Sequence, residues 1–156
     1  MDLKRRLFLK ATLAGSTIAV AAVAGLLKPQ QLLAAWPESA FTSKSVADAL
    51  TAIGGKADHS ASASVTITGP DGGIAQNGAI VPITISSSME NVSRIFLVVD
   101  GNSFPLTASY ELPAGTLPFI TARIKMGKTS NVIAICEAGG QLFSASTEVK
   151  VVAGGC

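Results

Sequence analysis

Few side chains in this sequence can do covalent or metal chemistry. Two cysteines, Cys136 and Cys156, and one histidine, His59, are the whole supply of thiols and imidazoles. A closed zinc-type site takes three or four ligands at suitable spacing. One histidine and two cysteines that lie far apart in the chain do not provide that set. His59 stands in a polar stretch rich in Gly, Ser and Ala and reads as a solvated loop residue. "GPDGG" at 69–73 is followed by no Gly-Lys-Ser/Thr, so it is a turn and not a phosphate loop. No nucleophile-elbow pattern surrounds a serine. The chemistry therefore rests on sulfur.

The two thiols stand in different contexts. Cys136 closes the apolar run "NVIAIC" and reads as a buried small hydrophobe, with a bridge to a partner subunit as the alternative. Cys156 follows "KVVAGG". A terminal residue packs against little, and an exposed thiol there is a nucleophile or a liability. Gly154 and Gly155 carry no side chains and lose order readily. Four residues, Ala153 to Cys156, span roughly 13 Å at about 3.3 Å each. The expectation is a flexible arm over 153–156, built from Ala153, Gly154 and Gly155 and tipped by Cys156. Such an arm carries a covalently attached group into the clefts of other proteins. The competing reading is a frayed tail with an incidental thiol. "AGGC" has the look of a lipobox, but lipidation requires that motif at the end of a signal peptide.

An arm needs a rigid base, and the hydrophobic pattern supplies one. Val46, Leu50 and Ile53 recur at helical spacing within "PESAFTSKSVADALTAI", which predicts one short helix over 37–53, capped by Thr42 or Ser43 and stopped by Gly54-Gly55. Beyond residue 64 the period changes to two. Val81, Ile83 and Ile85 share a face, and Pro82 argues for an edge position. "RIFLVVD" is apolar on both faces and reads as a central strand. Phe104, Leu106, Ala108, Tyr110 and Leu112 alternate, as do Ile120, Ala122, Ile124 and Met126. "NVIAIC" is a further strand, and the last strand turns Phe143, Ala145, Val149 and Val151 inward. About seven strands joined by short polar turns predict an all-β fold: an immunoglobulin-like antiparallel β-sandwich with a short N-terminal helix.

The first 35 residues read as an address. Lys4, Arg5, Arg6 and Lys10 precede an uncharged run of 17 residues, Ala11 to Leu27, and Ala34-Ala35 offers a cleavage site. "KRRLFLK" carries the twin-arginine export pattern through Arg5 and Arg6. An ordinary secretory signal and an uncleaved anchor are the alternatives. Five of the 12 basic and one of the 10 acidic residues fall in this segment, leaving seven and nine in the rest of the chain. The net charge of +2 thus becomes −2 on cleavage. No Lys/Arg stripe with interleaved aromatics is present, which argues against nucleic-acid binding. The expected organisation is a signal over 1–35, a carrier domain over 36–152 and the arm over 153–156, in an oxidising periplasm where the membrane is met only during export.

Whole segments of the chain resemble the SoxY family, sulfur-carrier subunits of the bacterial sulfur-oxidising (Sox) system. The resemblance runs through the twin-arginine signal, the helix before "ALTAIGG", "QNGAIVPITI" (76–85), "RIKMGKTSNV" (123–132) and the ending "EVKVVAGGC". The family usually ends in Gly-Gly-Cys-Gly-Gly; Gly154, Gly155 and Cys156 match it, and the final two glycines are not in this sequence. The resemblance implies an immunoglobulin-type sandwich paired with a SoxZ-like subunit exported alongside it. It implies covalent attachment of thiosulfate-derived sulfur at Cys156 by a c-type cytochrome enzyme, and release of sulfate by a hydrolase. It implies no catalysis by the carrier itself, no cofactor and no metal. Two other classes stand beside it: a thiol redox protein using Cys156, and a structural export partner whose tail forms a disulfide. The first is weakened because such thiols have a resolving cysteine, a helix N-terminus or a basic neighbour, and the nearest basic residue in sequence is Lys150.

Overall fold

A computed structural model describes residues 37–155. The expected signal with Arg5 and Arg6, and Cys156 itself, lie outside the described residues.

The described residues begin with two helices, α1 (Glu38–Thr42) and α2 (Val46–Gly54), where one was expected over 37–53. The break has a local cause. The hydroxyls of Thr42 and Ser43 donate back to the carbonyls of Glu38 and Ser39, at 2.8 and 2.7 Å, and Ser43 adopts extended backbone. Ser45, not Thr42 or Ser43, caps α2: its hydroxyl oxygen accepts from the Asp48 N–H at 3.1 Å. Gly55 ends α2 in the left-handed region, φ 72°, where a side chain would be strained.

Among the described residues nine strands follow: β1 (Ser60–Ala61), β2 (Val65–Thr68), β3 (Ile74–Asn77), β4 (Val81–Ser87), β5 (Val92–Val99), β6 (Leu106–Glu111), β7 (Phe119–Ile124), β8 (Ser130–Ala138) and β9 (Gln141–Ala153). One sheet runs β1-β9-β8-β5-β6 with β3 also on β9, and the other runs β2-β4-β7. The immunoglobulin-like, mostly antiparallel design expected from the period-two pattern is present. The two strands beyond the expected seven, β1 and β3, are short and pair parallel to β9. Neither is long enough to show alternation in the sequence. Their partner β9 is 13 residues long: β1 pairs with Phe143 and Ser144, which also pair with β8, and β3 pairs with Lys150 to Ala153, beyond the reach of β8.

β5 is central, between β6 and β8. Its inner residues Ile95, Leu97 and Val99 join Val81, Ile83 and Ile85 in the core between the sheets. Its outer residues Phe96 and Val98 pack in a second cluster with Ala40, Ala49 and Leu50 of the helices. Leu50 is 1% exposed, and burial of such a side chain contributes about 1.5–3 kcal/mol. Arg94 pins the helix to the sheet. Its Nε and Nη2 reach Glu137 Oε2 at 2.7 and 2.6 Å, while Nη1 donates to the Ile53 carbonyl at 2.9 Å.

Two details of the pattern are corrected. β4 is the middle strand of its sheet rather than an edge. Pro82 is tolerated because β2 pairs only as far as Thr84, which leaves Pro82 beside β7 alone. In β6 a register shift opposite Leu97 and Val98 sends Leu106 to the helix-side cluster, while Ala108 and Tyr110 face the inter-sheet core.

Candidate functional site

β9 begins at the exposed Gln141 after the β8–β9 turn and delivers the C-terminal segment to one end of the sandwich. Its first half pairs with β8 from Gln141 to Val149. Its second half pairs with β3, Ile74 to Lys150 and Asn77 to Ala153. Val151 is held from the other side, donating its N–H to the Thr129 hydroxyl at 2.9 Å.

Beyond Asn77 the chain turns, with the Asn77 side-chain carbonyl accepting from the Ala79 N–H at 2.8 Å. This turn places Gly78 between two segments. Its N–H donates to the Ala153 carbonyl and its carbonyl accepts from the Met126 N–H, both at 2.7 Å. The Met126 carbonyl in turn accepts from the Gly155 N–H at 3.0 Å. Three backbone segments, 77–79, 126–127 and 153–155, thus lie against one another without intervening side chains.

That approach is what requires glycine. A Cβ on Gly78 would run into the Met126 carbonyl oxygen and sit 2.7 Å from the Gly155 nitrogen. On Gly155 it would lie 2.8 Å from Gly78 and Ala79 backbone atoms, and on Gly154 it would strike the Gly127 carbonyl oxygen. Close contact between backbones, rather than conformational freedom, is therefore the role of Gly154 and Gly155 in this conformation. Ala153 belongs to β9, and Gly154 and Gly155 lie in a glycine cradle, with Gly155 hydrogen-bonded.

The cradle is braced from behind. The Asn102 side chain donates to the Lys125 carbonyl at 2.8 Å and accepts from the Gly127 N–H at 3.0 Å. Asp100 accepts from the backbone and side-chain N–H groups of Asn131, at 2.9 and 2.8 Å. Gly78 and Gly127 stand inside the two segments that carry the family resemblance, "QNGAIVPITI" and "RIKMGKTSNV". Nothing local marks them as partners of a tail that begins 21 residues after the end of the second segment. Along the chain Asn77-Gly78 reads only as a turn dipeptide, and Gly127 opens the turn-like "GKTSN".

The other chemical candidates fall away from this site. Cys136 lies in β8, fully buried in the inter-sheet core, and burial pushes its thiol from the ordinary 9.0 up to about 11. It is a packed hydrophobe and not a reactive thiol. His59 is not merely solvated: its Nδ1 is 2.9 Å from the hydroxyl of the buried Ser144, which also approaches the Ser60 carbonyl at 3.4 Å. It helps satisfy a buried polar group beside β1. Among the described residues no group of three His, Cys, Asp or Glu side chains is placed to hold a metal ion.

Comparison with known proteins gives a consistent result. The family described as sulfur oxidation protein SoxY matches residues 50–156. The solved structure of the sulfur carrier protein SoxY from Chlorobium limicola f thiosulfatophilum is similar at 34% identity and a TM-score of 0.63, covering 74% of this chain and 99% of that one. A superoxide reductase (neelaredoxin) from Ignicoccus hospitalis aligns at 19% identity and a TM-score of 0.49, over 57% of this chain and 82% of its own. No curated protein matches.

Proposed function

The chain belongs to the SoxY family of sulfur oxidation proteins, and on that premise we propose that it is a periplasmic sulfur carrier whose attachment point is Cys156. The observation that carries the reading is the delivery of Gly154 and Gly155, the two residues before Cys156, to one end of the sandwich. The last residue before the cysteine is held there by one backbone hydrogen bond, Gly155 to Met126.

The chemistry is that of a thiol tether. The Cys156 sulfur forms an S–S bond with the outer sulfur of thiosulfate. The thiol proton is released, and two electrons leave to the haem of a c-type cytochrome partner. Hydrolysis then breaks the bond between the outer sulfur and the sulfonate sulfur. Water supplies the added oxygen, sulfate departs, and a persulfide stays on Cys156. The carrier contributes the nucleophile and the docking surface; the partner enzymes contribute catalysis.

Presentation to those partners requires Gly154 and Gly155 to lift from the cradle. That motion breaks the Gly155–Met126 hydrogen bond, a net cost of about 0.5–1.5 kcal/mol. The cost is small enough to leave an extended tail populated beside the docked one. A thiol redox enzyme is disfavoured because Cys136, the other sulfur, is 0% exposed and cannot act as a resolving thiol without unfolding the core.

Mass spectrometry of protein purified from cells metabolising thiosulfate tests the reading. Sulfur adducts should map to the peptide ending in Cys156 and disappear in Cys156→Ser, while Cys136→Ser keeps them. Adducts that persist in Cys156→Ser would overturn it.

A further inference from the structure

One dipeptide of the cradle is chemically labile. Asn77 is followed by Gly78, whereas the other three asparagines of the chain, Asn91, Asn102 and Asn131, are followed by Val, Ser and Val. An asparagine loses ammonia when the backbone nitrogen of the next residue attacks its side-chain carbonyl carbon. Glycine in that next position has no side chain to obstruct the ring closure. Here the glycine is obligatory, because a Cβ at 78 would strike the Met126 carbonyl oxygen. The packing that builds the cradle therefore also creates the labile pair.

The two reacting groups are held in opposite states. Asn77 is exposed to water. Its Oδ1 accepts from the Ala79 N–H at 2.8 Å, a donor already aimed at the oxygen on which negative charge develops during attack on Cγ. Gly78 is buried, and its N–H donates to the Ala153 carbonyl at 2.7 Å. The register of Asn77 opposite Ala153 keeps this stretch of main chain extended against β9. The electrophile is thus exposed and polarised, while the nucleophile is withheld from base. The group that withholds it is the last residue of β9.

We propose that Asn77 is a deamidation site gated by the end of β9, closed while Ala153 is docked and open when the chain lifts from Ala153 onward. In the open state base takes the Gly78 amide proton and the nitrogen bonds to Asn77 Cγ. The Cγ–Nδ2 bond breaks, Nδ2 takes up a proton and leaves as ammonia, and a cyclic imide remains. Water opens the imide at one carbonyl to give aspartate and at the other to give isoaspartate; no electrons are transferred. Either product carries a carboxylate at position 77. The iso form also routes the main chain through the former side chain and lengthens it by one carbon, so Gly78 loses its register with Ala153 and Met126. The tail then cannot dock as before. Time spent undocked is converted into a lasting covalent mark on the cradle.

The test holds the chain without its signal at mildly alkaline pH and follows exchange of amide for acid at each asparagine by peptide mass spectrometry. Four samples are compared: folded wild type, wild type unfolded in urea, Gly154→Ala and a chain ending at Val152. The Gly154→Ala Cβ strikes the Gly127 carbonyl oxygen and pries the tail up without touching the Asn77-Gly78 pair. The shortened chain lacks Ala153 altogether. Folded wild type should deamidate at Asn77 more slowly than the unfolded chain. Both variants should be faster than folded wild type by about 2- to 12-fold, the factor that one backbone hydrogen bond corresponds to. Asn91, in the turn before β5, should keep its rate in all folded samples. Deamidated wild type, separated by its added charge, should show faster amide exchange at Gly155 than the intact protein. Equal rates at Asn77 in folded and unfolded wild type would overturn the gate. So would no gain in either variant, or a gain shared by all four asparagines, which belongs to global unfolding. Unchanged exchange at Gly155 would overturn the lasting mark. None of these readouts uses the Cys156 thiol, so the carrier reading stands or falls separately.

Discussion

At the residue scale the two cysteines divide into a packed atom and a proposed working one. Cys136 sits among Ile95, Val132 and Ala134, and no exposed surface remains to it. Its thiol keeps its proton to about pH 11 in the folded protein, against the ordinary 9.0. Between those values the unfolded chain binds fewer protons, so stability falls as pH rises. The contribution is complete below about pH 9 and lost by pH 11, and the rise from 9.0 to about 11 corresponds to about 2–3 kcal/mol. Urea unfolding of the wild type and Cys136→Ala at both pH values should show that component only in the wild type. Equal losses in the two proteins would place the effect on other groups. The same burial that makes Cys136 inert leaves Cys156 as the thiol available for loading.

At the element scale the decisive feature is the overlong β9. Its outer half has β3 as its only strand partner, and the cradle continues that pairing past the strand end through Gly78. Gly78→Ala forces a Cβ against the Met126 carbonyl and the Val151 side chain, the latter at 2.8 Å. Backbone is not free to yield as a flexible side chain is, so the variant should be destabilised by about 1–3 kcal/mol. Gly127→Ala is the control, because its Cβ meets only Asn102 Oδ1 at 3.9 Å, an ordinary contact. Thermal unfolding should separate the two variants by several degrees, and amide exchange at Val151 and Gly155 should rise only in Gly78→Ala. Matching behaviour would mean that the close approach of the three backbones does not govern the tail.

At the scale of the whole molecule the helices change the argument for a partner. A strand apolar on both faces, such as "RIFLVVD", suggests a face that a single domain leaves bare. Here α1 and α2 cover it, burying Phe96 and Val98 completely. The large apolar residues that remain exposed, among them Ile80 at 59%, Leu117 at 82% and Phe119 at 59%, lie elsewhere on the sandwich. Pairing with a SoxZ-like sandwich therefore rests on the family and not on β5. Co-expression with that subunit should yield one heterodimeric species in the periplasm by sedimentation. Changing Arg5 and Arg6 to Lys should hold both chains in the cytoplasm. Separate monomers would dismiss the pairing, and unchanged export would dismiss the twin-arginine route.

Much of this protein can be read from the sequence because the signals are local. Period-two alternation lays out the long strands, apolar residues on both faces place β5 at the centre, and "QNGAIVPITI", "RIKMGKTSNV" and "EVKVVAGGC" carry the resemblance to the sulfur-carrier family. Other features depend on residues distant in the chain, and only the tertiary structure decided them. Strand β1 takes the edge of β9 away from β8, β3 takes the part of β9 that outruns β8, and no two- or four-residue segment announces a parallel pairing of that kind. Gly78, Gly127, Gly154 and Gly155 become one site only when three backbones meet, a contact written in the absence of side chains. A sequence states which groups are present; the convergence of its ends states which of them can act together.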